Sequence, residues 1–466
     1  VIPSETLDMA TVNVGDFFLS NTTGDKYMTL QGAGLDSTDA GVTFTITLTE
    51  LQRADAIHLS ATPGGDGDPL VLDINGNGVQ DRALNGCPEL VGVPISETAD
   101  FIIPNITTST LFLSNGSLVL FFSEIIDITP QSYVNLSKIS LVNESGVAGN
   151  RVNVAGATIL SLDGTKMELL LSEVQRIRAI ELSAQPGGDN SGLALDVSAG
   201  AIRDRAQNLN ADTFGVPVIE NPDTVPPELV SASLDYNSGV LTINASEWID
   251  ATPISLIKLK IMFLANNTYE KGNAILDAAI TSIDGYQVNI TLSEFQRANS
   301  LRLSGTRGGD GGALFLRVLS GAFQDIAQNP SVRNFTISIE EFEDHTRPRL
   351  INGTIDYNTG NLTLYASETI DVSPSSNVNL SLIHLSNVSG TRSVSLVGAS
   401  VIPVDDVVFY VELTEIMRAR AVVFSGVLGG DRTNAIIDAQ SHSVLDLAAN
   451  PSLPFSNFDL YEIPDT

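Results

Sequence analysis

The sequence predicts an all-β protein made of four tandem immunoglobulin-like β-sandwich domains in an elongated array. Three observations carry this prediction: motifs that return about every 120 residues, apolar side chains that alternate with a period of two, and turn motifs between the alternating segments. No run of about a dozen residues keeps the 3.6-residue period of a helix. Short strands in units of this length are typical of β-sandwiches.

Four motifs recur in a fixed order and define the repeats. The Ser-Glu motif (Ser-Glu-x-x-Asp) begins at Ser4, Ser123, Ser246 and Ser367. The arginine motif, a Leu-Ser/Thr-Glu segment, ends at Arg53, Arg176, Arg297 and Arg418. The Gly-Gly-Asp motif ends at Asp66, Asp189, Asp310 and Asp431, and the Asp-x-Ala-x-Asn motif begins at Asp81, Asp204, Asp325 and Asp446. This periodicity predicts domains at residues 1–97, 98–222, 223–344 and 345–466.

Strands and turns alternate within a repeat. Apolar residues occupy every second position of residues 42–48, 288–292 and 409–413, which predicts strands with one buried face. Residues 235–239 and 356–360, Asp-Tyr-Asn-Ser/Thr-Gly, separate alternating segments and predict hairpin turns, because Asn and Gly tolerate positive φ.

A short helix is predicted at each arginine motif. Thr49, Ser172 and Ser293 are each followed three residues later by Gln, the pattern of a capping box, whereas the fourth repeat has Met417 there. We expect the arginine that follows to form a structural ion pair with a neighbouring periodic acid. Other acids also recur with the repeat, among them Glu124, Asp127 and Asp189. They either gather at domain junctions or, as we favour, lie in solvated loops.

The chain is strongly acidic. It has 55 Asp plus Glu against 24 Lys plus Arg, a formal net charge of −31. This argues against nucleic acid or an anionic bilayer as partner, because both require a basic surface. No apolar run approaches the ~20 residues of a membrane span. The single cysteine, Cys87, excludes an intramolecular disulfide, and leaves open a buried thiol, a free reactive thiol or an intermolecular bridge.

The motifs resemble those of the Ig-like repeats of microbial surface-layer and other large extracellular proteins. The resemblance lies in an Asp-x-x-Pro-Pro domain start at 223–227, the Ser-Glu strand end at 246–250 and the Asp-x-Ala-x-Asn turn at 325–329, with near copies in the other repeats. It covers almost the whole chain and implies an extracellular or cell-surface setting with a structural or adhesive role. It carries no catalytic residues.

The first repeat differs from the others at its start. Residues 229–245 precede the Ser-Glu motif of the third repeat with a strand and hairpin, whereas only Val1, Ile2 and Pro3 precede it in the first. We expect an upstream segment or a neighbouring subunit to donate the missing strands. The alternative is a first repeat whose edge is covered by its own loops.

N-glycosylation sequons are the most frequent short motif. An Asn-x-Ser/Thr sequence predicts N-linked glycans in a secreted protein, although the composition alone supplies some matches. The sequons lie at Asn21, Asn105, Asn115, Asn135, Asn143, Asn244, Asn266, Asn289, Asn334, Asn352, Asn361, Asn379 and Asn387.

Calcium is the ligand that the acidic motifs favour. Asp73, Asn75, Asn77 and Asp81 place oxygen ligands at spaced positions around Gly78, as in a calcium loop. The loop lacks the terminal bidentate Glu, because Leu84 stands there, so an ordinary strand connection is the alternative. Divalent cations would also screen the self-repulsion of so acidic a chain.

The sequence predicts no enzyme. The histidines fall at unrelated places in the repeat, and no nucleophile elbow or phosphate-binding loop is present. We expect a structural subunit of an extracellular glycoprotein assembly, namely a cell-surface filament, a flagellar-hair-like fibre or a surface layer, that self-associates into a polymer or lattice. The alternatives are an adhesin or ligand-binding surface module and, with least support, a carbohydrate-active enzyme.

Overall fold

The computed structural model describes residues 1–24, 26–39, 43–143, 150–265 and 268–466. The chain divides into two compact units, Val1–Val225 and Pro226–Thr466, which are treated separately below. Both units consist of β-sandwiches with short helices, so the predicted all-β sandwich fold is confirmed. Within the described residues, no helix has the length and apolar character needed to cross a membrane.

Each arginine motif begins a short α-helix, as predicted. The helices are α1 (Glu50–His58), α2 (Glu173–Glu181), α3 (Glu294–Arg302) and α4 (Glu415–Val422). The capping box is present at the first three, and at α4 only the Thr414 hydroxyl caps the helix. Short 3-10 helices lie at Met9–Thr11, Val14–Asp16, Gln131–Tyr133, Leu136–Lys138, Leu256–Lys258, Ser375–Asn377 and Leu380–Leu382.

The strands of the first unit form the sheets of the first two repeats. Those of the first repeat are β1 (Leu7–Asp8), β2 (Phe17–Asn21), β3 (Tyr27–Thr29), β4 (Gly34–Asp39), β5 (Thr43–Thr47), β6 (Leu70–Ile74), β7 (Gln80–Asp81) and β8 (Leu90–Pro94). Those of the second are β9 (Ile106–Phe112), β10 (Ser117–Ile126), β11 (Ile139–Val142), β12 (Arg151–Asn153), β13 (Thr158–Ile159), β14 (Gly164–Leu170), β15 (Ala194–Val197) and β16 (Thr213–Asn221).

The strands of the second unit follow the same order. Those of the third repeat are β17 (Leu229–Asp235), β18 (Val240–Asp250), β19 (Leu259–Ala265), β20 (Thr268–Ala274), β21 (Ala279–Ile280), β22 (Gly285–Thr291), β23 (Leu314–Val318), β24 (Gln324–Asp325) and β25 (Asn334–Phe342). Those of the fourth are β26 (Leu350–Asp356), β27 (Asn361–Ile370), β28 (Ile383–Ser386), β29 (Ser393–Ser395), β30 (Ser400–Val401), β31 (Asp406–Glu412), β32 (Ile436–Ala439), β33 (Phe455–Asp459) and β34 (Tyr461–Ile463).

One long strand belongs to both sheets of the sandwich in the second and third repeats. In the second repeat β16 pairs antiparallel with β15 through its first half and parallel with β9 through its second half. In the third repeat β25 pairs antiparallel with β23 through its first half and parallel with β17 through its second half. In the fourth this strand is divided into β33 and β34, each with the equivalent partner.

The predicted hairpin turns and buried faces are confirmed. Gly239 and Gly360 close the β17–β18 and β26–β27 turns with φ of +69° and +78°. The alternating apolar residues of β22 and β31 are buried, with Ile290 and Val411 fully inaccessible. The strand predicted at residues 42–48 begins with Val42, which lies outside the described residues, and the rest of its apolar face is only partly buried.

The first repeat leaves an apolar groove between β5 and β8, where Val1 makes two backbone hydrogen bonds with Phe44 of β5, of 3.0 and 3.3 Å. Among the described strands β8 pairs only with β6, and β5 only with β4, whereas β25 and β22 of the third repeat are joined through β17 and β18. The groove has a volume of about 740 Å³. Its apolar lining includes Leu19, Leu30, Phe44, Ile46, Leu72 and Val93.

Candidate functional site at the repeat junctions

The recurring motifs meet where one predicted repeat follows another within each unit. We name these sites by their unit and define them by five charged residues. The first-unit junction consists of Glu50, Arg53, Asp100, Glu124 and Asp204, and the second-unit junction consists of Glu294, Arg297, Asp344, Glu368 and Asp446.

Arg297 is the centre of the second-unit junction. The capping box fixes the start of α3, so the arginine projects from its first turn. Its Nε and Nη2 donate to both carboxylate oxygens of Glu294 at 2.6 and 2.8 Å, a bidentate pair. Its Nη1 donates to Asp344 Oδ2 at 2.6 Å, and its Nη2 also reaches Glu368 Oε2 at 3.1 Å. One side chain thus joins its own helix, the linker and the Ser-Glu motif of the next repeat.

The first-unit junction repeats this arrangement. Arg53 pairs bidentately with Glu50, donates to Asp100 and reaches Glu124 Oε2 at 2.8 Å. Glu50 in turn accepts the Ile125 N–H at 2.8 Å, as Glu294 accepts the Thr369 N–H. The predicted structural ion pair of the arginine with a periodic acid is confirmed. The favoured placement in solvated loops was wrong for Glu124 and Asp127, since only 4% and 5% of these residues are exposed.

The Asp-x-Ala-x-Asn motif completes each junction. Asn450 Nδ2 donates to the Asp344 carbonyl at 2.9 Å, and Asn208 Nδ2 donates to the Asp100 carbonyl at 3.1 Å. Both asparagine N–H groups bond to the aspartate that begins their motif, which fixes the loop that approaches the previous repeat. The motif therefore combines a closed turn with hydrogen bonding to the linker.

The Gly-Gly-Asp motif packs against that loop. A Cβ added to Gly308 would lie 2.1 Å from the Leu447 carbonyl oxygen, and one added to Gly64 would lie 2.0 Å from the Arg205 carbonyl oxygen. Both distances are far below van der Waals contact. Only glycine permits this approach of one repeat's loop to the next repeat.

Negative charge exceeds positive charge at both junctions. In the second unit, one arginine faces four carboxylates, and Asp344, Glu368 and Asp446 are all buried. Burial, opposed by Arg297 and reinforced by Asp446, Asp344 and Glu294, raises the pKa of Glu368 to about 8. Burial also raises the pKa of Glu124 to about 7 and that of Asp446 to about 6. These carboxylates are therefore costly to ionise without a further cation.

This crowding predicts an unusual pH dependence for the metal-free chain. The folded pKa of Glu368, about 8, lies above its unfolded value near 4.3, so its contribution to stability is complete below pH ~4 and is lost as the pH rises through 8. We expect the melting temperature of the second unit in metal-free buffer to fall between pH 5 and pH 8. Calorimetry at both pH values checks this. The melting temperature of the Glu368→Gln variant should fall less between pH 5 and pH 8 than that of the parent chain. A parent chain that gains stability over this range would contradict the prediction.

Each junction also contains a compact group of potential metal ligands. Asp100, Glu124 and Asp204 in the first unit each offer one carboxylate oxygen within 4.8 Å of the others, and Asp344, Glu368 and Asp446 do so in the second. The linker supplies the first acid, and the Ser-Glu and Asp-x-Ala-x-Asn motifs of the following repeat supply the other two.

The predicted calcium loop of the first repeat uses its carboxylates for local hydrogen bonds. Asp73 accepts from the Ser20 hydroxyl and the Gly92 N–H, and Asp81 accepts from its own turn at Asn85. Asn75 Nδ2 donates to Asp16, and Asn77 has a φ of +66°. Calcium at this loop stays a prediction. Cys87, nearby, is a half-buried free thiol whose Sγ lies 3.7 Å from the Asn75 carbonyl.

The sequon asparagines differ in exposure. The exposed ones are Asn105, Asn115, Asn135, Asn352 and Asn379. The half-buried ones are Asn143, Asn244, Asn289, Asn334 and Asn361. Asn21 and Asn387 are buried and hydrogen-bonded within their own turns, so a glycan there would require the turn to open. Asn266 lies outside the described residues.

One acid of each junction escaped the sequence analysis. Asp100 and Asp344 lie in the linkers, and the predicted boundary at 345 even separates Asp344 from its repeat. A constant spacing could have revealed them, because Arg53 and Arg297 each bond to the aspartate 47 residues later. The same spacing joins Arg176 to Asp223 and Arg418 to Asp465.

Comparison with known proteins finds matches only among solved structures. No protein-family model matches the sequence, and no curated protein matches it. The N-terminal part of the bacterial S-layer protein SbsC is 12% identical with a TM-score of 0.19, covering 41% of this chain and 44% of its own. Titin fragment A168169 is 9% identical with a TM-score of 0.20, and the match covers 52% of this chain and 100% of the titin fragment. The FN1–FN3 domains of chicken CNTN1 are 8% identical with a TM-score of 0.19, and the match covers 77% of this chain and 97% of theirs.

Proposed function

We propose that this chain is a structural subunit of an extracellular assembly, such as a filament or surface layer, in which the repeats act as building blocks joined by fixed junctions. The observation that carries the proposal is the convergence of the recurring motifs on the repeat junctions. Arg53 and Arg297 make equivalent bonds to the next repeat, and Gly64 and Gly308 make equivalent close approaches. The residues that the repeats share thus serve the connection between repeats.

The polar character of the junctions supports a fixed joint. Three donor groups of Arg297 are committed to three carboxylates, and 9% of its side chain is exposed. Removing the arginine leaves the carboxylates buried and unpaired, so opening of such a joint is costly. A chain of joints that resist bending suits a load-bearing polymer better than a flexible tether.

The groove of the first repeat supports self-association. It lies between β5 and β8, the position that the β17–β18 hairpin occupies in the third repeat. We propose that a hairpin with alternating apolar side chains, supplied from outside residues 1–466, fills it by strand pairing. Exposed Val91 and half-exposed Leu90 on β8 would then be covered.

Electron microscopy of native material tests both parts of the proposal. Ordered fibres or lattices, with added strands paired to β8 at high resolution, are the expected result. Isolated monomers would contradict the assembly role, and ordered material whose first repeat has no added strand would contradict the hairpin alone.

N-linked glycans on the exposed sequons are part of this proposal. Asn105, Asn115 and Asn352 lie where a sugar would extend into solvent. Mass spectrometry of glycopeptides from the same native material should find sugars at the exposed sequons and unmodified Asn21 and Asn387. If no sequon peptide carries a sugar, the proposed N-glycosylation is contradicted.

A second candidate function is a ligand-binding surface module. The apolar groove of about 740 Å³ favours it, because pockets of this size accommodate small ligands. Monomeric native material in which a bound small molecule fills the groove would support this function instead.

A further inference from the structure

We propose that each junction binds a calcium ion through its three convergent carboxylates: Asp100, Glu124 and Asp204 in the first unit, and Asp344, Glu368 and Asp446 in the second. In each group, one oxygen per residue lies within 4.8 Å of the other two. Calcium binds oxygen at about 2.3–2.6 Å, so oxygens on opposite sides of one ion are about 4.6–5.2 Å apart. The side chains therefore stand close to calcium-binding positions.

Buried oxygens without a donor point to a ligand. Within the described part of the chain, Glu124 Oε1, Glu368 Oε1 and Asp446 Oδ2 are buried and accept no hydrogen bond. Only 4%, 5% and 2% of these residues are exposed. A buried carboxylate oxygen without a hydrogen-bond donor is destabilising. A cation at each junction would satisfy the unpaired oxygens located there.

The arginine does not already fill this role. Arg297 donates to Glu368 Oε2 and Asp344 Oδ2, which leaves Glu368 Oε1 free, and Asp446 bonds to Asn450 through Oδ1. With all four carboxylates ionised, the single guanidinium leaves three negative charges uncompensated. A divalent ion reduces this excess to one.

The ligand chemistry selects calcium among common divalent ions. The ligands are carboxylate oxygens, with no cysteine or histidine among them, which disfavours zinc and copper. Magnesium requires a near-ideal octahedron at about 2.0–2.1 Å and retains its waters, whereas calcium accepts irregular geometry.

The proposed ion would bind the linker to the repeat that follows it. Asp344 lies in the linker, whereas Glu368 and Asp446 belong to the fourth repeat. Arg297 holds the same linker aspartate from the third repeat. Calcium would therefore add Asp446 to the connection that Arg297 already makes between the linker and Glu368.

Calcium titration of the full chain tests the proposal. We expect isothermal titration with CaCl₂ to show that Glu124→Gln and Glu368→Gln each remove one bound ion, and the double variant two. The matched control is Glu415→Gln, which removes an exposed acid that pairs with Arg418 and belongs to neither group of three carboxylates. This variant should bind as many calcium ions as the parent chain. Circular dichroism of each variant in chelator verifies the fold.

Thermal melting provides a second readout that a purely structural ion pair would not give. In chelator, Glu368→Gln relieves repulsion and should raise the melting temperature above that of the parent chain. In calcium, the same variant lacks a ligand and should melt below the parent. A variant that melts below the parent in both buffers, together with unchanged calcium stoichiometry, would overturn the proposal. Loss of an ion in Asp73→Asn alone would place calcium at the loop and also overturn it.

Discussion

Arg297→Ala should destabilise the second unit by about 3–5 kcal/mol, because it leaves buried carboxylates without their cation. Asp344, Glu368 and Glu294 all lose their charged donor, and side-chain exposure is 1% for Asp344 and 7% for Glu368. The Tyr236 carbonyl also loses a hydrogen bond of 3.0 Å. Urea denaturation monitored by the fluorescence of Trp248, the single tryptophan, reports on the third repeat selectively.

The fourth repeat offers a matched control. Arg418 occupies the same helix position and pairs with Glu415 and Asp465, whose side chains are 71% and 57% exposed. Exposed pairs contribute about 0–1 kcal/mol, so Arg418→Ala should cost far less. Because Trp248 lies in another repeat, calorimetry should follow this variant. If Arg297→Ala and Arg418→Ala lose equal amounts of unfolding free energy, burial of the ion pairs at the junction contributes nothing to stability.

Gly308→Ala should open the second-unit junction and is the other large effect. The new Cβ would lie 2.1 Å from the Leu447 carbonyl oxygen of the next repeat, and the backbone there has a φ of +91°. We expect a loss of about 2–5 kcal/mol, the sum of ~1–2 for the left-handed conformation and ~1–3 for overpacking. Limited proteolysis should cleave the Asp344 linker faster in this variant.

Gly429→Ala separates the steric clash from the backbone strain. Gly429 occupies the same motif position with a φ of +95°, but its added Cβ would meet only Val422 Cγ1, at 3.6 Å. Its cost should be the ~1–2 kcal/mol of the conformation alone. Gly64→Ala, at 2.0 Å from the Arg205 carbonyl, should behave like Gly308→Ala in the first unit. Equal costs for Gly308 and Gly429 would show that the close approach does not matter.

Local patterns made most of the fold predictable. The capping box at Ser293 predicts the start of α3, and the alternation in residues 288–292 predicts the buried face of β22, because both depend on neighbours in sequence. The junction depends on residues far apart: Arg297 meets Glu368 across 71 positions. Periodicity identified the arginine and one acid as partners. It could not show that the carboxylates converge, since the hairpins and linker that bring them together must first be folded.

The long strand shared by the two sheets determines how a repeat would respond to tension. In the second repeat the chain enters along β9 and leaves along the second half of β16, and these strands are parallel, with Ser109 to Phe112 beside Val218 to Asn221. A pull on the two ends of the repeat therefore slides these strands past each other. All the hydrogen bonds of the ladder are then strained together, whereas a hairpin pulled from its open end would lose them one at a time. The second and third repeats are thus built to resist stretching by shear.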